Sequence, residues 1–109
     1  FPHFFVLTMD PYQITLKFYE DKIIKKHSKG ISVIMSTCTM HETVEICKKS
    51  GLNIFWYHPL IDDFRESKSI NKIMNMMSKS DKNPNGFPGM QTGGNVGCFS
   101  WIFLLVSLQ

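Results

Sequence analysis

Arginine is what this sequence most conspicuously lacks. Of twelve basic residues, Arg65 is the only arginine, and the lysines are interspersed with nine acids for a net charge of +3. A guanidinium is the side chain best shaped to grip a phosphate with two donors, so its scarcity argues against a nucleic-acid partner. Cysteine is sparse as well. Cys38, Cys47 and Cys98 are odd in number and share no repeated spacing, unlike the disulfide framework of a small secreted protein, and a reducing, cytoplasmic setting is expected. Long apolar runs are missing. The longest candidate, "CFSWIFLLVSL" at 98–108, has eleven residues against the roughly 20 that span a bilayer, so it is expected to be a buried strand or an apolar tail, with no membrane span. The opening "FPHFFVLTMD" has no basic leader and no small-residue cleavage site, and is not read as a signal peptide.

Two ligand patterns are also incomplete. Cys38 and His41, with His27 and Cys47, form one loose pair where a structural zinc site shows paired spacings twice. "GGNVG" at 93–97 lacks the lysine and hydroxyl residue of a phosphate-binding loop. No metal and no cofactor are expected.

What is present suits one small α/β domain: 109 residues, 43% apolar, enough for a thin core. Leu16, Tyr19, Ile23 and Ile24 recur at helical spacing between Tyr12 and His27, with Lys22, Lys25 and Lys26 among them and Gly30 beyond, which predicts an amphipathic helix closed by glycine. "GISVIM" at 30–35 reads as a buried strand. "TMHE" at 39–42 is a capping-box pattern, with Thr39 as the expected cap of a helix that turns Val44 and Cys47 inward, carries Lys48 and Lys49 in its last turn and stops at Gly51. "NIFWYH" at 53–58 reads as a second strand, expected to run parallel to the first. Ile70, Ile73, Met74 and Met77 then mark a third helix behind Ser67 or Ser69, and the methionines of "NKIMNMM" read as core filling that an incomplete sheet would leave exposed. After Ser80, "DKNPNGFPGMQTGGNVG" holds five of the seven glycines and two of the five prolines, and no regular element is expected there. The division is therefore a partial α/β domain over 12–80 and a Gly/Pro-rich loop with an apolar tail over 81–109, the latter unrelated to the domain.

Chemistry concentrates in "HPLIDDFRES" at 58–67, which begins where a predicted strand ends. In open parallel sheets, ligand sites gather at that end of the strands. His58 reads as a strand-end residue with a satisfied hydrogen bond, and Asp62 and Asp63 read equally as a solvated turn. On "KGISVIM", "ICKKSGLNIFWYHPLIDD" and the following helix with Ile70 and Met74, residues 15–78 resemble the first half of the cysteine-dependent dual-specificity protein phosphatases, most closely the cyclin-dependent-kinase-associated type. The resemblance implies a partial parallel sheet with flanking helices, phosphatase-like and incomplete. It implies a general-acid role for Asp62, with Asp63 as the alternative one residue on, since a positioned proton donor speeds departure of the alkoxide or phenolate by about 10²–10⁴-fold.

The nucleophile loop of that family, H-C-x5-R, is not matched. Six residues beyond Cys38, Cys47 and Cys98 stand Val44, Asn53 and Leu104, where an arginine would grip the phosphate and the loop would lower the thiol pKa. The expected protein is thus a phosphatase-like chain, truncated or alternatively spliced before its nucleophile and without activity of its own. Two other readings stand beside it: a non-catalytic binding module for a protein kinase or phosphoprotein partner, and an unrelated small α/β domain.

Overall fold

The computed structural model describes residues 4–107. The protein is α/β, with parallel strand pairs and helices between the strands along the chain. It divides into two compact units, residues 1–55 and 56–109.

In the first unit, strands β1 (Phe4–Thr8) and β2 (Ile31–Ser36) pair in parallel, with Phe4 opposite Ile31 and Thr8 opposite Met35. Val33, Ile34, Met35 and Ser36 are buried, as the β-branched run predicted. Within the opening segment, read only as an apolar non-leader, Phe4–Thr8 is the strand beside it.

The single helix expected over 12–27 is two: α1 (Ile14–Tyr19) and α2 (Lys22–Lys26). Asp21 makes the break. It adopts extended backbone and its side chain accepts from the Ile23 amide at 2.9 Å, a cap that restarts the helix where periodicity suggested continuity. Tyr19 is the buried residue of α1, its hydroxyl paired with that of Thr8.

Helix α3 (His41–Lys49) packs against α1 and buries Thr43, Val44 and Cys47, as the pattern predicted. Gly51, with φ of +78°, ends it. Its start differs from expectation. Met40 occupies the cap position, no side chain caps the helix, and the buried Thr39 hydroxyl has no hydrogen-bond partner among the described residues. The helix begins one residue later than the capping box requires, because Ser36 shapes the preceding turn by accepting from the Cys38 amide at 3.1 Å.

Strand β3 (Asn53–Pro59) leads into the second unit. There it pairs in parallel with the two-residue strand β4 (Gly89–Met90), His58 opposite Gly89 and Pro59 opposite Met90. Helix α4 (Ile70–Met77) starts at Ser69, whose hydroxyl accepts from the Lys72 amide at 3.3 Å, in agreement with the expected cap. Over its described residues the C-terminal apolar run, expected as a strand or an apolar tail, is a helix: α5 spans Val96–Ser107. Asn95 sets it by accepting from the Cys98 amide at 2.9 Å, and Phe99 drops to zero exposure against Tyr57, ring centroids 4.4 Å apart.

Helix α4 shows the alternative that an incomplete sheet allowed: of the expected stripe Ile70, Ile73 and Met77 are 50%, 51% and 75% exposed, Met76 beside them is 70% exposed and Met74 is half-buried, while Asn71 is 0% exposed.

Candidate functional site

The loop after β3 is organised around that buried asparagine. The Asn71 side-chain oxygen accepts from the Ile61 amide at 3.0 Å and lies 3.2 Å from His58 Nε2, while its amide nitrogen donates to the Asp62 carbonyl at 2.6 Å. One buried side chain therefore ties the end of β3, the middle of the loop and the first turn of α4. Such a buried polar group holds its place only if its donors and acceptors are met.

Asp62 sits on the same helix end. Its Oδ1 accepts from the Ser69 hydroxyl at 2.8 Å and the Asn71 amide at 3.3 Å, and its Oδ2 from the Ile70 amide at 2.5 Å. These are amides that a helix start leaves without partners, at the end where a negative charge is favoured. Desolvation pushes the Asp62 pKa up, but the hydrogen bonds from Ser69, Ile70 and Asn71 outweigh it, and the carboxyl is held below its ordinary value. Asp63 takes a different partner. Arg65 bonds it with two nitrogens, at 2.7 Å from Nη2 and 3.0 Å from Nε, and this pairing first, with the Arg65 backbone amide second, lowers the Asp63 pKa.

The structure thus links His58 and Asp62 through Asn71, ties Ser69 directly to Asp62, and sets Asp63 on Arg65. The thiols take no part. Cys38 and Cys98 are exposed, and Cys47 is buried with its pKa pushed up to about 11 by desolvation, the setting of an inert core thiol. Among the described residues no group of three or more His, Cys, Asp or Glu side chains is placed to hold a metal ion. Two shallow crevices, of about 400 and 220 Å³, are lined by first-unit residues such as Lys17, Glu20 and Lys49, and neither includes a residue of the loop.

Asn71 is the residue that sequence reasoning missed. The signal was there: Asn71, Asn75 and Ser78 recur at i, i+4 and i+7, a polar stripe as regular as the apolar one.

Compared with protein-family models, curated proteins and solved structures, the chain matches none. No helix among the described residues is long and apolar enough to cross a membrane.

Proposed function

We propose that this chain is a non-catalytic binding module of dual-specificity-phosphatase-like design, contacting a protein kinase or a phosphoprotein. One observation carries the reading: both loop carboxylates already have their partners, and both are held in the charged form. A general acid has to carry a proton at the working pH and present it to the leaving oxygen. Asp62 instead accepts from two helix amides and a hydroxyl, and protonating it would set those contacts against one another. The absence of an arginine six residues beyond any cysteine points the same way, since the nucleophile of such an enzyme depends on it. The free thiols of Cys38, Cys47 and Cys98 fit a cytoplasmic setting.

The test is hydrolysis of an aryl phosphate by the purified full chain, alongside binding to kinases and phosphopeptides. The expected result is binding with no turnover. Turnover abolished by Cys98→Ser or Cys38→Ser would replace the reading with an enzymatic one.

A further inference from the structure

Helix α4 is inside out. At 100° per residue, Ile70, Ile73, Met76 and Met77 occupy about 120° of arc, and all are at least half exposed. The opposite side carries Asn71, Asn75 and Ser78. Each is fixed by a hydrogen bond within the second unit: Asn71 to the Asp62 carbonyl, Asn75 Nδ2 to the Asn85 carbonyl at 3.2 Å, and Ser78 Oγ from the Phe87 amide at 2.8 Å. Rotating the helix to bury the isoleucines and methionines would break all three and take from the Ile61 amide and the Asp62 carbonyl the buried side chain that satisfies them, which is costly. The outward apolar face is therefore held in place by the inward polar one, and a contiguous apolar face presented this way marks a contact surface.

Charge identifies the occupant. Residues 67–80 contain Lys68, Lys72 and Lys79 and no acid, and the nearby Asp62 and Asp63 are already engaged by the helix start and by Arg65, so the charges that α4 and its flanks leave for a partner are cationic. A second copy of the chain, packed about a twofold axis, would bring these lysines against one another. A lipid surface is favoured by Trp, Phe or Leu on the apolar face, and α4 has none of the three. Isoleucine flanked by methionine, whose unbranched thioether adapts to varied shapes, suits a partner helix.

We infer that the outward face of α4 docks an acidic amphipathic helix of a partner protein, its apolar stripe on Ile70, Ile73, Met76 and Met77 and its carboxylates on Lys68, Lys72 and Lys79. This rests on the binding-module reading and names the partner's chemistry.

The probe is a fluorescein-labelled peptide of about 18 residues, long enough to form a helix, with leucine at i, i+3, i+4 and i+7 and glutamate on its flanks. Its scrambled isomer and a lysine-for-glutamate version serve as controls, and anisotropy is read against the full chain. The expected result is saturable binding of the acidic peptide alone, weakened about tenfold or more by Ile73→Glu or Met77→Glu and several-fold by Lys72→Glu or raised salt. Circular dichroism melts of Ile73→Glu and Met77→Glu should match the wild type, because both side chains are exposed. Equal binding of scrambled and acidic peptides, or undiminished binding by the folded Ile73→Glu protein, overturns the inference. So does flotation with phosphatidylserine vesicles, or self-association lost in Met77→Glu, when the acidic peptide fails to bind. Aryl-phosphate turnover in the same preparation would instead remove the binding-module reading, whatever the peptide does.

Discussion

Helices α3 and α4 are built from similar material and bury opposite faces. Each has nearly the same length, an apolar stripe and a polar stripe, and each follows a strand, α3 after a short turn and α4 after the longer loop at 60–69. In α3 the apolar residues Val44 and Cys47 go inside and Lys48 and Lys49 stay out. In α4 Asn71 goes inside, and Ile70, Ile73, Met76 and Met77 stay out. Periodicity reports that a helix has two faces. Which face is buried depends on what each side chain meets there. The polar side of α3 is charged, and lysine is rarely buried without a partner. The inward polar residues of α4, Asn71, Asn75 and Ser78, are uncharged and short and find hydrogen-bond partners in the loop backbone, so burying Asn71 leaves nothing unpaired.

The sharpest way to break the comparison is one substitution made in both helices. Val44→Glu places a charge in the first unit's core and should cost on the order of 3–5 kcal/mol or unfold the chain, while Ile73→Glu should shift stability by no more than about 0.5 kcal/mol. Equal losses in thermal melts would mean that α4 also buries its apolar side. A nearly equal effect is expected at Phe99, since the buried ring on Tyr57, and not the α4 stripe, forms the apolar centre of the second unit. Phe99→Ala should cost about 3–5 kcal/mol in urea unfolding, against little for Met76→Ala.

Asn71→Ala comes next. It leaves the Ile61 amide and the Asp62 carbonyl without their side-chain partner and should destabilise by about 1–3 kcal/mol, and nuclear magnetic resonance should show the loop amides from Ile61 to Ile70 shifting together. If they do not move, the loop is held by something other than this asparagine. The smallest effect is the pH dependence of Asp62. Its carboxyl lies below the ordinary 3.8 in the folded chain, so as the pH falls the unfolded chain takes up the proton first. The stability it contributes is complete well above 3.8 and is lost as the pH falls through that value towards the lower folded one. The gap in melting temperature between the wild type and Asp62→Asn should therefore be widest near neutrality and narrow below about pH 4.

Much of this fold was legible from residue pattern, and the exceptions have distinct physical causes. β2, α3 with its glycine stop, β3 and the Ser69 cap are segments where local preference and tertiary packing agree. The helix break at Asp21 was hidden because the apolar spacing on its two sides stays in phase, so only the capping carboxylate marks it. "TMHE" satisfies the capping-box pattern, but the preceding turn, closed by Ser36, advances the chain by a residue and takes Thr39 out of position. "CFSWIFLLVSL" is interrupted only by Ser100 and Ser107, and a run without periodicity does not separate strand from helix. Asn95, three residues upstream of Cys98, was the local sign of a helix start. In the loop, His58, Asp62 and Asp63 stood out because ionisable residues draw attention, whereas the residue that organises them is an uncharged amide whose importance comes from where it is buried. Its role became visible only once the chain had folded.

Placing methionines on the outward side of α4 has a chemical consequence. Met76 and Met77 meet dissolved oxidants freely, whereas Met35 in β2 is fully enclosed. Peroxide should convert the two exposed thioethers to sulfoxides first, turning soft apolar groups into polar ones while the fold beneath stays intact. The protein would then keep its shape and lose its adhesive side, so a sample aged in air and one kept under reductant would behave as two different reagents.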